Sequence, residues 1–355
     1  MIRSIDLFAG AGGLSLGLQA AGIDVIAAVE RDKNCIGTLS HHLPSTELYS
    51  DDIRDLDLSR YRGAVDVVVG GPPCQPFSSG GLRAGIKDKR DMIPQFVRVV
   101  ASLKPKMFLM ENVRGLIAKG RRNYFEALLL ELSSLGYNVA WKLINAADYG
   151  VPQKRIRLFV VGVSKGVFDF PEPSHGEGQN YPHKTVREVL SSEQIGEPNN
   201  SKVTYAKTPD LRPSPYHGQL FNGGGRPLNL EQPAPTILAS AGGNKTHFID
   251  TKNLVPPYHS HLLNGGSPRF GTLPGARRLT VAESAIIQTF PSDFAFSGSK
   301  SHQYKQIGNA VPPSLSKILG KAIVENLEGD GISIRKTDKK FERCVQASLF
   351  SIPNC

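Results

Sequence analysis

The chain has 355 residues, which is enough for about two domains with a sizeable buried core. Hydrophobic residues make up 40% and charged residues 21%, and no apolar run approaches the ~18 residues that span a membrane, so the composition excludes a membrane protein. Lys and Arg outnumber Asp and Glu by 42 to 32, and the net charge of +10 is consistent with a polyanionic partner.

The four cysteines, at positions 35, 74, 344 and 355, form no CxxC pair, and no basic-then-apolar leader precedes them. This pattern is typical of a protein in a reducing compartment, and it argues against secretion and against a structural zinc site. We therefore expect a cytoplasmic protein that holds no metal.

Residues 1–163 alternate short β-rich runs with segments of helical spacing. SIDLFA, DVIAAVE, VDVVVGG and MFLMENV have the pattern of buried strands, while LSLGLQAAG and RRNYFEALLLELSSLG have the periodicity of helices. This alternation predicts an α/β domain with a doubly wound, mostly parallel sheet. Two later runs, NVAWKLI and RLFVVGV, are expected to form an antiparallel edge.

The composition changes at residue 164. Fourteen of the 25 prolines lie between residues 164 and 276, where helical periodicity is weak, and this predicts a second, smaller, loop-rich domain with some β structure. Its ten basic and nine acidic residues leave it nearly neutral. Residues 277–302 are expected to be a hinge and return segment, 303–328 a C-terminal helix that completes the first domain, and 329–355 a polar basic tail.

The segment DLFAGAGGLSLGL at 6–18 is a strand that runs through a Gly-rich turn into a helix. Its glycines permit close approach of a ligand to the backbone, although Ser15 stands where the dinucleotide fingerprint GxGxxG has its third glycine. Glu30 follows the second strand, where an acidic side chain usually accepts hydrogen bonds from ribose hydroxyls. These features favour a ribose-bearing cofactor over a purely structural turn.

Cys74 lies in GGPPCQPFS, directly after the buried strand VDVVV. Prolines on both sides fix the backbone, and open parallel sheets bind ligands at the carboxyl ends of their strands. We therefore interpret Cys74 as a nucleophile and Cys35 as a buried, inert thiol. Glu111 in ENV follows the next strand and is expected to act beside Cys74. Arg155 and Arg157 in QKRIR carry two guanidinium groups suited to an anion or a base edge.

Taken together and in order, these motifs resemble the DNA (cytosine-5) methyltransferase family of the bacterial restriction-modification type. The resemblance covers most of the chain and includes RRLTVAESAIIQTFP at 277–291 and QIGNAVP at 306–312. It departs from the family pattern DxRGxLF in KDKRDMIP, where Asp91 replaces the glycine and Pro94 the aromatic residue. The resemblance implies a Rossmann-like, S-adenosylmethionine-dependent methyltransferase that acts on double-stranded DNA as a monomer.

The resemblance also implies roles for individual residues, with Cys74, Glu111, Arg155 and Arg157 catalytic. The residues implied in S-adenosylmethionine binding are Phe8, Ala9, Gly10, Gly12, Gly13, Leu14, Glu30, Arg31, Asp52, Ile53, Pro72, Ile93, Asn309 and Val311. Residues 164–276 become a target-recognition domain, with a Thr-aliphatic pair near the target nucleotide, while the loop after Cys74 is suited to closing on that nucleotide and to reaching phosphates. The residues expected to bind DNA are Ser78, Arg83, Lys87, Lys89, Arg90, Thr236 and Ile237.

The expected chemistry follows from the cytosine ring. Carbon 5 is a poor nucleophile until a thiolate adds to carbon 6, and nearby positive charge favours the thiolate form of Cys74. A protonated Glu111 then stabilises the charge that reaches nitrogen 3. Because base stacking covers the ring faces in a duplex, the cytosine must be flipped out, at a cost on the order of a few kcal/mol. The sequence assigns no base for the carbon 5 proton.

Three alternatives compete with this prediction. A tRNA cytosine-5 methyltransferase would share Cys74 and Glu111, but a variable domain of this size and the PFS after Cys-Gln favour the DNA enzymes. A non-catalytic DNA-binding regulator is disfavoured because every motif residue needed for catalysis is present, and an NAD oxidoreductase leaves the Cys74 motif unexplained. A cognate restriction endonuclease is expected as a genetic partner and not as a stable complex.

Overall fold

The structure, a computed structural model, describes residues 1–73, 91–190 and 193–329. The strands in these ranges are β1 Arg3–Leu7, β2 Asp24–Val29, β3 Glu47–Tyr49, β4 Val67–Gly70, β5 Met107–Val113, β6 Asn138–Asn145, β7 Gln153–Lys154, β8 Ile156–Val163, β9 Tyr205–Asp210, β10 Gln219–Phe221, β11 Ala234–Pro235, β12 Phe248–Asp250 and β13 Ala276–Arg278. The helices are α1 Gly13–Ala20, α2 Lys33–His42, α3 Ile93–Leu103, α4 Arg122–Ser134, α5 Val186–Val189, α6 Val255–Leu263, α7 Val281–Ile287, α8 Lys300–Asn309 and α9 Pro313–Glu328.

A seven-stranded sheet with the order β3-β2-β1-β4-β5-β8-β6 forms the centre of the protein. Strands β1 to β5 run parallel, so their carboxyl ends meet at one edge of the sheet. The four apolar runs that the sequence marks as strands are β1, β2, β4 and β5, and the prediction of a doubly wound, mostly parallel sheet is confirmed.

Strand β8 is antiparallel to both β5 and β6, as expected for the pair of later runs. Of the two, however, only β6 lies at the edge, because β8 is inserted between β5 and β6. Burial explains this order: from Leu158 to Val163 every residue of β8 is buried, whereas most residues of β6 are only half-buried. A strand that is apolar on both faces is typical of the interior of a sheet, where helices cover both faces.

Helices cover both faces of the sheet, and alternation along β4 shows which face each helix covers. Val68 packs with Phe96 of α3 and Phe125 of α4, while its neighbours Val67 and Val69 pack with side chains of α1 and α9. Helix α9 therefore returns to the sheet near the end of the described chain and packs beside α1. The range 303–328, expected to be one helix, is divided between α8 and α9, because the chain is not helical at residues 310–312.

Residues 164–276 contain short strands and two small cores. Strands β9 and β10 pair antiparallel, and a core around Tyr258 and Phe248 lies beneath them. A second core joins Val186, Leu228 and Ile237 to side chains of 279–310. Strand β13 spans the predicted boundary at 276 and pairs with β12, which ties the return segment to this part of the chain.

Two negative findings apply to the described residues. None of their helices has the length and apolar character needed to cross a membrane. They also contain no group of three or more His, Cys, Asp or Glu side chains that is able to hold a metal ion.

Candidate active site

The candidate site lies at the carboxyl edge of the sheet, where β1 and β4 are neighbours. From β1 the chain moves outward to β2 and β3 on one side, and from β4 to β5 on the other. Open α/β sheets bind ligands at such a switch point, because the loops leave the sheet in opposite directions and open a crevice between them. The turn after β1, Glu30 after β2, Pro72 after β4 and Glu111 near the end of β5 all belong to this edge.

The Gly-rich turn, residues 8–13, leaves β1 through unusual backbone geometry. Phe8 has a φ of 61°, in the left-handed region that an aromatic side chain rarely adopts. Such strain concentrates at functional sites, where the surrounding structure maintains it. Gly10 also has a positive φ, and a Cβ built on Gly10 would meet nothing within 4 Å, so open space adjoins the backbone there.

Glu30 fixes this turn through its carboxylate. Oε2 accepts a hydrogen bond from the Gly10 N–H at 2.9 Å, and Oε1 accepts one from the Asp32 N–H at 2.8 Å. A carboxylate has about four acceptor positions, so two remain for a ligand. The structure therefore brings together the acidic residue and the glycine turn that the sequence assigned to one cofactor.

A second part of this edge is formed by the turn after β3. Asp52 accepts hydrogen bonds from Arg54, which hold the pKa of its carboxyl well below the usual range, and it pairs with the largely exposed Arg31 at 3.3 Å. Ile53 and Ile93 are buried in the core cluster against which Phe8 packs. Both isoleucine side chains are almost fully buried, so they belong to the core beside the site and have little surface for a ligand.

The segment before α9 completes the turn from the other side. A Cβ on Gly13 would stand 2.2 Å from the Val311 carbonyl oxygen, so the absence of a side chain at Gly13 allows this approach. Leu14 and Val311 are buried in the same core cluster, Ala9 is buried, and Asn309 is exposed at the end of α8. The glycine predicted to approach a ligand thus contacts the returning chain.

Glu111 occupies the interior of the candidate site. Its side chain is about one-tenth exposed, and its Oε1 pairs with Nε of Arg157 at 3.1 Å. Burial raises the pKa of Glu111 above its usual value, and this effect outweighs the charges of Arg157 and Arg155, which act in the opposite direction. A Cβ built on Gly71 would lie 3.2 Å from Oε2, so this oxygen faces the segment that leads to Cys74.

The residues that flank the segment 74–90 are held by hydrogen bonds. Asn112 donates from Nδ2 to the carbonyl of Pro72 at 3.1 Å, and the Met92 N–H donates to the carbonyl of Pro73 at 3.0 Å. Cys74 itself, together with the predicted DNA contacts Ser78, Arg83, Lys87, Lys89 and Arg90, lies outside the described residues.

Both departures from the family pattern have a local explanation at the start of α3. Asp91 accepts a hydrogen bond at Oδ1 from the Ile93 N–H at 3.1 Å, and so it satisfies one of the free donors of the first turn. Pro94 is the second residue of α3, where its fixed φ suits the helix and its missing N–H leaves no bond unmade.

Arg155 and Arg157 have different surroundings, although the charges of both favour the ionised form of Glu111 and so lower its pKa. Arg155 is 1% exposed, and its guanidinium donates to the carbonyls of Ile237 at 3.4 Å and Gly308 at 3.0 Å. Burial lowers the pKa of Arg155 to about 9. Arg155 therefore connects the sheet with residues 164–276 and with α8, while Arg157 is the arginine that pairs with the candidate carboxyl.

Thr236 and Ile237 lie beside the QKRIR segment that contains Arg155. Strand β11 pairs parallel with β7, and the Thr236 hydroxyl donates to the carbonyl of Lys154 at 2.6 Å. Gln153, which was not among the site residues expected from the sequence, is fully buried and accepts a hydrogen bond from the Ile237 N–H at 3.0 Å. Gln153 is the first residue of the QKRIR motif, and its membership of that motif was the available sequence signal that it belongs to the site.

Comparisons with known proteins extend these observations. The family model described as C-5 cytosine-specific DNA methylase matches residues 2–325. The Type II methyltransferase M.AplI of Arthrospira platensis is 36% identical over 332 residues, which cover 91% of this chain and 86% of the relative. The Type II methyltransferase M.NgoMIV of Neisseria gonorrhoeae is 33% identical over 336 residues, with 92% and 98% covered.

The fold also has solved counterparts. A crystal structure of a mutant of Spodoptera frugiperda DNMT2 is similar over 92% of this chain and 100% of that one, with a TM-score of 0.68 at 17% identity. At this level of identity the likeness shows a shared fold.

Proposed function

Because the chain belongs to the C-5 cytosine-specific DNA methylase family, we propose that it transfers a methyl group to carbon 5 of one cytosine within a specific sequence of double-stranded DNA. The resemblance found in the sequence is thereby confirmed at the level of the family, and the two relatives named above are Type II methyltransferases. The residue roles that follow are proposals that rest on the site geometry and on the chemistry of the side chains.

The observation that carries the mechanism is the buried Glu111. Burial keeps its carboxyl protonated to a higher pH than usual, and Arg157 holds Oε1 in place at 3.1 Å. Oε2 is adjacent to Gly71, three residues before Cys74 in the chain. A protonated carboxyl so placed donates to nitrogen 3 of a flipped cytosine while the thiol acts on carbon 6.

In the proposed reaction the thiolate of Cys74 forms a bond to carbon 6, and the displaced electron pair makes carbon 5 nucleophilic. Glu111 donates its proton to nitrogen 3 and takes it back when the ring regains aromaticity. Carbon 5 takes the methyl group, whose bond to the cofactor sulfur would break to leave a neutral thioether. Carbon 5 then loses its own proton to a base, and the bond between carbon 6 and Cys74 breaks to regenerate the thiolate. The base that takes the carbon 5 proton is unassigned, and a water molecule would serve.

S-adenosylmethionine fits the Gly-rich turn because open space adjoins Gly10 and because Glu30 retains free acceptor positions beside it. When bound, this cofactor supplies an electrophilic methyl group on a sulfonium. We propose that Glu30 accepts from the ribose hydroxyls and that Phe8 and the turn after β3 line the adenosine. The full set of residues proposed for this role is that given by the resemblance, from Phe8 to Val311.

DNA is proposed to bind between the sheet edge and residues 164–276, which we assign as the target-recognition domain. Thr236 and Ile237 adjoin Arg155 and are proposed to lie near the flipped nucleotide. The basic residues of segment 74–90, among them Arg83 and Lys87, are proposed to contact phosphates. Such contacts position DNA but do not read its sequence. We further propose that the protein is a cytoplasmic monomer and that its methylation protects host DNA from a cognate restriction endonuclease. That endonuclease is proposed as a genetic partner and not as part of a stable complex.

The test uses the full chain, duplex DNA and S-adenosylmethionine with a labelled methyl group. We expect label at carbon 5 of a cytosine in one short sequence, with tRNA unlabelled. Cys74→Ser should abolish transfer while cofactor binding persists, since the thiol contacts the base and not the sulfonium. A DNA target with 5-fluorocytosine should trap native protein in an adduct that survives denaturation. Turnover by Cys74→Ser at a tenth of the native rate, or label on tRNA alone, would overturn the proposal.

A further inference from the structure

A buried polar pair lies beneath the Gly-rich turn. Asp6 in β1 and Ser15 in α1 are both 0% exposed, and the Ser15 hydroxyl donates to Oδ2 of Asp6 at 2.6 Å. The other oxygen, Oδ1, has no hydrogen-bond partner among the described residues. A buried carboxyl with an unsatisfied oxygen is costly, so its presence in an otherwise apolar interface requires a reason.

Asp6 supplies a hydrogen-bond acceptor to the first turn of α1 from the interior of the protein. The residue that precedes this helix is Gly12, which has no side chain to accept from the free N–H groups of the first turn. Asp6 takes the place of that missing cap, because the hydroxyl and the backbone N–H of Ser15 both favour its ionised form, although burial raises the pKa of Asp6 to about 7. Above that pKa, Asp6 also places negative charge at the positive end of the helix dipole.

This arrangement differs from that of a dinucleotide-binding turn. In the GxGxxG fingerprint the third glycine permits close packing of helix and strand, and the start of the helix is left free for a pyrophosphate. Here Ser15 occupies the position of that glycine, and Asp6 occupies the helix start. A pyrophosphate at this turn would lie beside Glu30 and above the buried carboxyl of Asp6, two acidic groups close enough that Glu30 disfavours ionisation of Asp6.

Resting on the proposed function, we propose that Asp6 and Ser15 select the class of cofactor at the Gly-rich turn, favouring a cationic sulfonium nucleoside and disfavouring a dinucleotide. The two residues are specificity determinants that act through charge and through occupation of the helix start. Asp6 is sealed under the turn and has no exposed surface.

The experiment compares two ligands that differ by one charge. S-adenosylmethionine carries a sulfonium, whereas S-adenosylhomocysteine carries a neutral thioether. The affinity for S-adenosylmethionine divided by that for S-adenosylhomocysteine therefore reports the local charge. A change in the shape of the site that weakens both ligands equally leaves this ratio unchanged. Calorimetry on the full chain at pH 8, above the pKa of Asp6, should show that Asp6→Asn lowers this ratio by on the order of threefold to tenfold. The affinity for NADH, followed by fluorescence, should rise relative to that for S-adenosylmethionine.

The matched control is Asp66→Asn, which removes the same charge at the opposite end of the sheet, where Asp66 pairs with Lys106. It should leave both ratios unchanged. If Asp6→Asn reduces the folded fraction, Ser15→Gly is the second variant. This substitution restores the third glycine of the fingerprint and removes the hydroxyl that donates to Asp6. It should also lower the affinity for S-adenosylmethionine relative to S-adenosylhomocysteine. Unchanged ratios in folded variants would overturn the proposal. Failure of the native chain to bind S-adenosylmethionine would instead overturn the proposed function.

Discussion

Glu111 is a single residue on which two opposing effects act. Burial raises its pKa, and the neighbouring arginines lower it, with burial the larger effect. If the protonated carboxyl is the working form, activity should fall as pH rises through the Glu111 pKa. Glu111→Gln keeps an N–H donor but has no proton to transfer, so we expect turnover to drop about 10²-fold and the alkaline fall to disappear. The measurement is a rate profile from pH 6 to 10.

Glu126→Gln is the control for that substitution, because Glu126 lies in α4 and pairs with Arg122 by the i, i+4 spacing. Its rate profile should match that of the native protein. An alkaline limb that persisted in Glu111→Gln would assign the titrating group to another residue.

Arg155 and Arg157 are expected to respond differently to the same substitution. Arg155→Met leaves buried carbonyls of Ile237 and Gly308 without donors and should lower the free energy of unfolding by about 3 kcal/mol. Arg157→Met removes a cation from Glu111, raises the pKa of Glu111 further, and should move the alkaline limb of activity to higher pH. Urea unfolding and the rate profile separate the two effects. Equal losses of stability would contradict the distinct roles inferred here.

The sequence alone could not distinguish these two arginines. Their spacing in QKRIR is compatible with one shared role, and both were expected to bind an anion or a base edge. What separates them is contact with distant parts of the chain: Arg155 meets Ile237 and Gly308, and Arg157 meets Glu111. Such contacts depend on the packing of the whole chain and leave no trace in local spacing.

At the scale of elements, the packing of α1 on α9 reverses an expectation from helix propensity. Gly17 lies inside α1, where replacement by alanine usually stabilises a helix by about 1 kcal/mol. Here the new Cβ would stand 2.3 Å from the Ser316 Cβ and 2.5 Å from the Pro313 carbonyl oxygen, so α9 would have to move. Gly17→Ala should therefore destabilise the protein by ~2 kcal/mol.

Thermal unfolding of Gly17→Ala measures this effect, and Gly120→Ala is its control, because a Cβ on Gly120 meets nothing within 4 Å. Since α9 leads from the segment that contacts Gly13, affinity for S-adenosylmethionine should fall together with stability in the first variant only. An increase in the unfolding temperature of Gly17→Ala would contradict the close packing described here.

Most elements of the sheet were predictable because each is a short apolar run bounded by turn residues. VDVVVGG and MFLMENV became β4 and β5 for this reason, and the RRNYFEALLLELSSLG segment contains α4. The position of β8 within the sheet was not predictable, since an apolar run shows that a strand is buried but not which neighbours bury it. Strand β3 has only three residues and escapes a search for long periodic runs.

For the whole molecule, the proposed division of labour predicts that specificity resides in residues 164–276. Replacing this range by that of a relative with a different target should transfer the methylated sequence, provided that the new segment supplies a Thr-aliphatic pair to meet Gln153 and Arg155. Bisulfite sequencing of a methylated plasmid identifies the target, and cofactor binding confirms that the chimera is folded. Specificity that remained with residues 1–163 would refute the assignment.

The approach of Val311 to Gly13 joins one of the first turns of the chain to a segment near its C-terminal end. During synthesis on the ribosome, β1 and the Gly-rich turn emerge early, but the contact that completes the turn requires residues made some three hundred positions later. A nascent chain therefore holds an unfinished cofactor site while the residues between Gly13 and Val311 are made. Premature termination anywhere before α9 should yield a protein with no activity at all, and not one with reduced activity or relaxed specificity.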